Sequence, residues 1–231
     1  MRYIVEVFDR YPAVHIGVLA AEGLTVKRSD AALERTKREA LSVAGERLGD
    51  TPTRHPFIAS WRETYKSFGT KPGDYRPSAE ALVRRSLRNG SLPTINTVVD
   101  AYNAVSVRHL IPMGGFDLDN IEGDIRLRFS RGGEAFTPLG SDKIETTYEG
   151  EAVYADDARI LTRRWNYRDC DETKITGETR GAALFIDGSE SIPRAAIEAA
   201  LKDLEKLLRE HCGGEYASAV ASSDNNEIII R

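Results

Sequence analysis

The sequence predicts an α+β domain: a β-rich core layered with helices, carrying a helical N-terminal portion. Two observations predict it. Apolar residues recur at helical spacing through four segments before Pro112. After it, glycine-punctuated alternating runs take over, until one long amphipathic helix and a short closing strand.

The chain opens Met1-Arg-Tyr-Ile-Val-Glu-Val-Phe8, an alternating run that places Tyr3, Val5 and Val7 on one face of a strand. Residues 14–19 are apolar and β-branched enough for a second strand. Ser29 or Asp30 then caps a helix running to about Leu48, with Leu33, Ala40, Leu41, Ala44 and Leu48 on one stripe and Gly49 as the stop. A second helix starts near Pro56, carries Phe57, Trp61, Tyr65 and Phe68 at spacings of four and three, and ends at Gly69. Ser78 caps a third, which presents Leu82, Val83 and Leu87 before Asn89-Gly90. A fourth begins near Asn96, with Val98, Val99, Tyr102, Val105 and Ser106 facing inward. Strands follow at residues 125–129, 152–154, 159–162 and 182–186. The long helix spans residues 191 to about 212, with Ala196, Ile197, Leu201, Leu204 and Leu208 on its buried stripe and Gly213-Gly214 after it; residues 227–230 close the chain as a strand. No internal repeat and no low-complexity linker divides the sequence, which reads as one domain over residues 1–231.

Composition narrows the function classes. The 231 residues are 41% hydrophobic and carry a formal net charge of −4, a soluble globular balance. No run approaches the roughly 18 apolar residues of a membrane span, and the charged, alternating N-terminus is no secretory leader. Cys170 and Cys212 form neither a disulfide framework nor a metal-spaced cluster, and the four histidines are scattered. A reduced, cytoplasmic setting is the expectation, without metal and without cofactor. No P-loop, GxGxxG or GxSxG sequence is present.

Charge is unevenly distributed. Between Arg54 and Gly90, eight cations (Arg54, Arg62, Lys66, Lys71, Arg76, Arg84, Arg85 and Arg88) face three anions, so this segment carries +5 and the remainder −9. Trp61, Tyr65, Phe68 and Tyr75 interleave with these cations. Cations for phosphates beside flat rings for unstacked bases suit RNA. The competing reading makes the aromatics the core stripe of one helix and the arginines its solvated face.

Three further segments concentrate polar groups. Asp100, Asn103 and Ser106 succeed each other at i, i+3 and lie near one helical face. Pro112-Met-Gly114-Gly115-Phe-Asp117 reads, by itself, as a tight turn. The densest segment is Arg163-Arg-Trp165-Asn166-Tyr-Arg168-Asp169-Cys-Asp-Glu-Thr173-Lys-Ile-Thr176-Gly-Glu-Thr179, between two apolar strands, where loops commonly carry binding groups. Cys170 lies between two aspartates, which disfavour a thiolate, so it reads as structural.

In this order, Pro93-Thr-Ile-Asn-Thr-Val-Val-Asp100-Ala-Tyr-Asn103, then Ile111-Pro-Met-Gly-Gly-Phe-Asp117-Leu-Asp119, then Ile125-Arg-Leu-Arg128 resemble the B3/B4 domain of the phenylalanyl-tRNA synthetase beta subunit. That domain's pattern is close to VVDxTNYV followed by QPMHAFDxxxI. The similarity covers about residues 60–210, with residues 1–55 expected to pack on that region, and the segment around Trp165 looks like the freestanding members that consist of this domain alone. In the synthetase this domain is the editing site, so the resemblance implies hydrolysis, in trans, of the ester of a wrongly charged aminoacyl-tRNA, without ligase activity. The implied partner is aminoacyl-tRNA, contacted by the eight cations above; no DNA and no membrane are expected.

Site residues follow from the same resemblance. The family's pocket Asn falls on Asn103, to orient water or the terminal ribose. The family His falls on Gly114, and the Glu associated with tyrosine recognition falls on Phe185. Residues 165–176 replace the family's GxMGG loop. The resemblance therefore implies a retained pocket that recognises an amino acid other than tyrosine. Arg168 and the Thr176 hydroxyl are candidates for the oxyanion and Asp117 for base or anchor. Gly114, Gly115, Trp165, Asn166, Asp169, Thr173, Thr179 and Phe185 are the candidate substrate contacts. Two other readings stay open: a non-catalytic module for tRNA, RNA or an amino acid, and a hydrolase of small aminoacyl esters.

Overall fold

A computed structural model of the chain describes residues 1–49 and 51–229. The fold is α+β, as the sequence predicts. Strand β1 (Arg2–Val5) buries Tyr3 and Val5, and β2 (Ile16–Glu22) is apolar on both faces. Four helices follow: α1 (Ala31–Leu48), α2 (Pro56–Ser67), α3 (Ser78–Asn89) and α4 (Thr97–His109). The β-rich part contains β3 (Met113–Asp117), β4 (Ile125–Arg131), the short pair β5 (Ala135–Phe136) and β6 (Glu145–Thr146), then β7 (Glu149–Ala155), β8 (Ile160–Arg163), β9 (Arg168–Asp169) and β10 (Gly181–Asp187). Helix α5 (Arg194–Cys212), β11 (Glu215–Ala221) and β12 (Glu227–Ile229) complete it. Ile230, expected in the closing strand, lies outside the described residues.

Two sheets hold the core. One is antiparallel, in the order β11-β2-β10-β3; the other runs β12-β1-β4-β7-β8-β9, with β1 and β4 parallel. They meet through aromatic side chains: the Phe185 ring on β10 lies 4.7 Å from that of Tyr3 on β1 and 5.1 Å from that of Tyr154 on β7. Helices α4 and α5 pack against each other, and α5 covers β2, where a Cβ on Gly17 would lie 3.0 Å from Ile197 and Leu201. No helix among the described residues is long and apolar enough to cross a membrane.

Local signals place most helix ends. The Asp30 carboxylate accepts from the backbone N–H of Ala32 (2.8 Å) and Leu33 (3.0 Å), and Asn96 accepts from Val99 N–H (3.0 Å). Replacing Asp30 by alanine is expected to cost about 1 kcal/mol, seen as a lower urea midpoint at unchanged slope.

Four expectations change. Gly114-Gly115 is not a turn but lies within β3, which pairs with β10. The Leu184 side chain occupies the space that a Gly115 side chain would need. β11 has no counterpart in the sequence reading: Glu215-Tyr-Ala-Ser-Ala-Val-Ala221 has little intrinsic strand preference, and its pairing with β2 supplies the order. Pro77, not Ser78, occupies the N-cap of α3, because proline's fixed φ suits the chain just before the helix; Leu87 at its far end is exposed. Finally, Trp61, Tyr65 and Phe68 are buried core, so none offers a free face to a base; of the interleaved aromatics only Tyr75 reaches the surface.

Candidate functional site

A small cleft of about 70 Å³ opens where β3 and β10 of one sheet face β7, β8 and β9 of the other. Its floor is a cross-strand pair, Gly114 on β3 opposite Phe185 on β10. Phe116 and Tyr154 extend this floor into an aromatic wall, with ring centroids 5.6 and 5.1 Å from that of Phe185. The opposite wall is the turn after β8, residues 164–167, leading into Arg168 and Asp169 of β9.

The turn is held in an uncommon shape. Arg164 and Trp165 both adopt left-handed backbone angles, φ 49° and 65°, a conformation that non-glycine residues adopt only when their surroundings fix it. Contacts on several sides do so. Trp165 N–H donates to the Ala152 carbonyl (2.6 Å), and its indole packs 5.2 Å from Trp61 and 5.4 Å from Tyr11. The Arg164 guanidinium lies 3.7 Å above the Tyr75 ring and 5.3 Å from that of Tyr167. Beneath, buried Arg163 donates through Nε and Nη2 to the two oxygens of Glu151, each at 2.8 Å.

Two carboxyl groups line the cleft. Asp187, at the end of β10, is buried. It accepts from the Tyr154 hydroxyl (2.6 Å) at Oδ1 and from Asn166 Nδ2 (3.2 Å) at Oδ2. Asn166 in turn accepts from the Tyr65 hydroxyl (2.8 Å), and the Tyr3 hydroxyl donates to that of Tyr154 (3.3 Å). Burial, partly offset by the Tyr154 and Asn166 hydrogen bonds, pushes the Asp187 carboxyl up to about 7, and the charge of Asp169 adds to the rise. Asp169 accepts from the Thr162 hydroxyl (2.6 Å) at Oδ1, while Oδ2 faces the space left by Gly114. Burial raises its pKa, and its charge adds to the burial that raises the Tyr102 hydroxyl.

Of the residues singled out in the sequence, the cleft brings together Gly114, Trp165, Asn166, Arg168, Asp169 and Phe185. Arg168 is exposed at the rim and donates to the Leu139 carbonyl (2.8 Å). Gly115 lies beneath Leu184. The threonines form a separate network beyond the end of β3: Thr179 donates to Asp117 Oδ2 (2.5 Å) and accepts from Thr176 N–H (2.9 Å), while Thr173 contacts the Cys170 thiol (3.0 Å). Asp117 Oδ1 also caps the turn at Asp119. Asn103 is half-buried on α4, outside the cleft lining; its helical neighbours are structural, Asp100 paired with buried Lys37 (3.0 Å) and Ser106 donating to the Ile111 carbonyl (2.7 Å). The sequence reading missed Asp187 and Tyr154. The one available signal was an aspartate ending the otherwise apolar run 182–186.

A second depression, about 790 Å³, adjoins the first. Arg76, Arg84, Arg85 and Arg88 line it together with Asp74 and Tyr167, and Tyr167 also lines the cleft. The other four cations lie outside it. Arg62 is committed to the buried Glu80 (3.0 Å) and Lys66 to Glu63 (2.7 Å), while Arg54 and Lys71 do not line the groove.

The family description "B3/4 domain" matches residues 60–213. The phenylalanine–tRNA ligase beta subunit of Francisella tularensis is 23% identical over 223 residues, covering 86% of this chain and 28% of that one. The subunit of Vibrio parahaemolyticus is 30% identical over 161 residues, covering 60% and 20%. An N-terminal fragment of the phenylalanyl-tRNA synthetase beta subunit from Pyrococcus horikoshii aligns in structure with a TM-score of 0.48 at 13% identity, covering 96% of this chain and 54% of that one. This chain thus spans a fifth to just over a quarter of the length of these curated relatives.

Proposed function

The chain belongs to the B3/4 domain family, and we propose that it hydrolyses, in trans, the ester joining a wrongly attached amino acid to tRNA. The observation that carries this reading is Tyr167, which lines both a groove carrying four arginines and a small cleft lined by carboxyl groups. A charged polymer that ends in a small esterified group has this division of parts: phosphates for the arginines, the aminoacyl end for the cleft. Ligation lies outside this reading.

The chemistry is ester hydrolysis. Water adds to the carbonyl carbon, the tetrahedral oxyanion collapses, and the ribose oxygen leaves with a proton, giving free amino acid and intact tRNA. Asp169 Oδ2, open toward Gly114, is placed to take the water proton, and its raised pKa strengthens it as a base. Arg168, at the rim, is the candidate cation for the oxyanion, on leaving the Leu139 carbonyl to which it donates.

The test is release of amino acid from a panel of mischarged tRNAs. Arg85 and Arg88 make no ion pair among the described residues, so reversing both to glutamate is expected to lower kcat/KM on tRNA at least tenfold. Loss of two single-strand phosphate contacts also flattens the log–log salt dependence by about 1.4. Hydrolysis of a small aminoacyl ester should be unaffected. Salt-sensitive tRNA binding with no release would replace the deacylase by a binding module, and equal loss on small esters would remove the groove from the reading.

A further inference from the structure

We propose that Asp187 recognises the α-ammonium group of an aminoacyl ester, with the unpartnered indole N–H of Trp165 available to the adjacent carbonyl oxygen. This rests on the reading of the cleft as the aminoacyl site.

Charge argues first. Among the described residues the cleft holds two carboxyl groups, Asp187 and Asp169, and the one guanidinium lining it belongs to exposed Arg168, which is turned to the Leu139 carbonyl. The unmatched charge inside is therefore negative, and a cationic group on the ligand is what it lacks. The walls suit a cation as well: Phe116, Tyr154 and Phe185 offer aromatic rings around the same space. Asp187 is rigidly presented. Each of its oxygens takes one protein donor, Tyr154 on one and Asn166 on the other, and a carboxylate oxygen has room for a second.

An acidic pair alone would accept any small cation. Trp165 narrows the choice. Its side chain is fully buried and lines the cleft; its Nε1–H lies near enough to help hold down the Asp187 pKa, yet among the described residues it meets no acceptor with hydrogen-bond geometry. A buried donor without an acceptor is costly, and a ligand oxygen relieves it. The cleft therefore asks for a cation and an acceptor a few bonds apart. An α-aminoacyl ester carries both, the ammonium on the carbon next to the carbonyl. The volume of about 70 Å³ is a little over two waters' share of liquid, ~30 Å³ each, so the ammonium and acyl group nearly fill it and a large side chain does not fit.

The binding probe is 3′-deoxy-3′-aminoacylamino-adenosine, in which an amide replaces the labile ester, carrying glycyl, alanyl, seryl or tyrosyl groups, each with a free or an N-acetylated amine. The full chain is expected to bind at least one free-amine probe tenfold or more tighter than its N-acetyl form. Asp187→Asn should bring that ratio to about 1. The preference should also shrink as pH falls below about 7, because Asp187 then takes up a proton while the amine keeps its charge. The titratable groups that face Asp187 are the Tyr154 hydroxyl, which donates to it, the Tyr3 and Tyr65 hydroxyls, and Asp169 in the same cleft; burial raises the three tyrosines far above this range, so they stay neutral throughout. A ratio near 1 in the unmodified chain overturns the proposal even if the variant does not fold, as does a ratio that survives Asp187→Asn, or no binding of any probe. The failure of the deacylase reading is distinct: probe binding with the expected ratio, but no amino acid released from any charged tRNA, removes catalysis and leaves recognition. Equal hydrolysis of free and N-acetylated aminoacyl-tRNA does the reverse.

Discussion

Glu151→Ala is expected to destabilise the fold by about 3–5 kcal/mol, the range for removing one partner of a buried ion pair. The Glu151 side chain is fully buried on β7 and accepts four donors: Arg163 Nε and Nη2 at 2.8 Å, and the backbone N–H groups of Arg164 and Tyr148 at 3.1 Å. Without it, the ion-pair partner left to Arg163 among the described residues is Glu145, which is 44% exposed at its side chain and screened by solvent. Two backbone donors lose their acceptor at the same time, each costing its own desolvation. Against a total stability of about 5–15 kcal/mol, this is a large fraction. The damage also reaches the cleft, because the Arg164 N–H held by Glu151 begins the left-handed turn that carries Trp165 and Asn166. The double variant Glu151→Leu with Arg163→Met removes both charges and should be the more stable of the two, since no lone charge is left buried. Urea unfolding of both variants checks this. A loss under 1 kcal/mol for Glu151→Ala would show the pair to be solvated.

The helices were legible because their signals are local. Asp30, Gly49, Asn96 and Gly90 act on backbone within a turn of themselves, and the stripe Trp61, Tyr65, Phe68 needs only the helical period to declare itself core. What depended on a distant partner was not legible. Nothing local tells Gly114-Gly115 to extend; Leu184, far along the chain, fills the space above Gly115. The spacing of Asp100, Asn103 and Ser106 correctly put them near one face, but not what that face meets, and two of the three serve packing. Counting charges found the basic segment, yet not that Arg62 lies over Glu80 while Arg85 and Arg88 face the groove. The polar segment 163–169 was legible as unusual, and it does form one wall of the cleft. Its counterpart, Asp187, was hidden as one acid ending a hydrophobic strand. Gly114 and Phe185, chosen separately by family resemblance, prove to be cross-strand partners.

That pairing allows two neighbouring glycines to be separated experimentally. A methyl group at Gly115 would overlap Leu184 Cδ2 and lie 2.9 Å from the Ala183 carbonyl oxygen. Leucine can change rotamer, but the carbonyl belongs to the backbone of β10, so β3 must move away from its partner strand. Gly115→Ala is expected to cost about 1–3 kcal/mol, as overpacking does. At Gly114 the same methyl group would have only Asp169 Oδ2 within reach, at 3.9 Å, an ordinary contact. Stability should change by less than about 0.5 kcal/mol there. The methyl group would, however, stand in a cleft of about 70 Å³, in front of the oxygen assigned to the attacking water. Gly114→Ala should therefore lower kcat/KM for aminoacyl-tRNA at least tenfold and weaken the amide-linked probe, in a protein that melts like the unmodified chain. Gly115→Ala should melt early, and wherever it remains folded it should retain most of its probe affinity. The two substitutions differ by one residue and add the same atom, so pleating alone assigns one face of β3 to packing and the other to the cleft. Equal melting losses for the two would mean that Gly114, too, faces packed protein, and the site would have to be sought elsewhere in the chain.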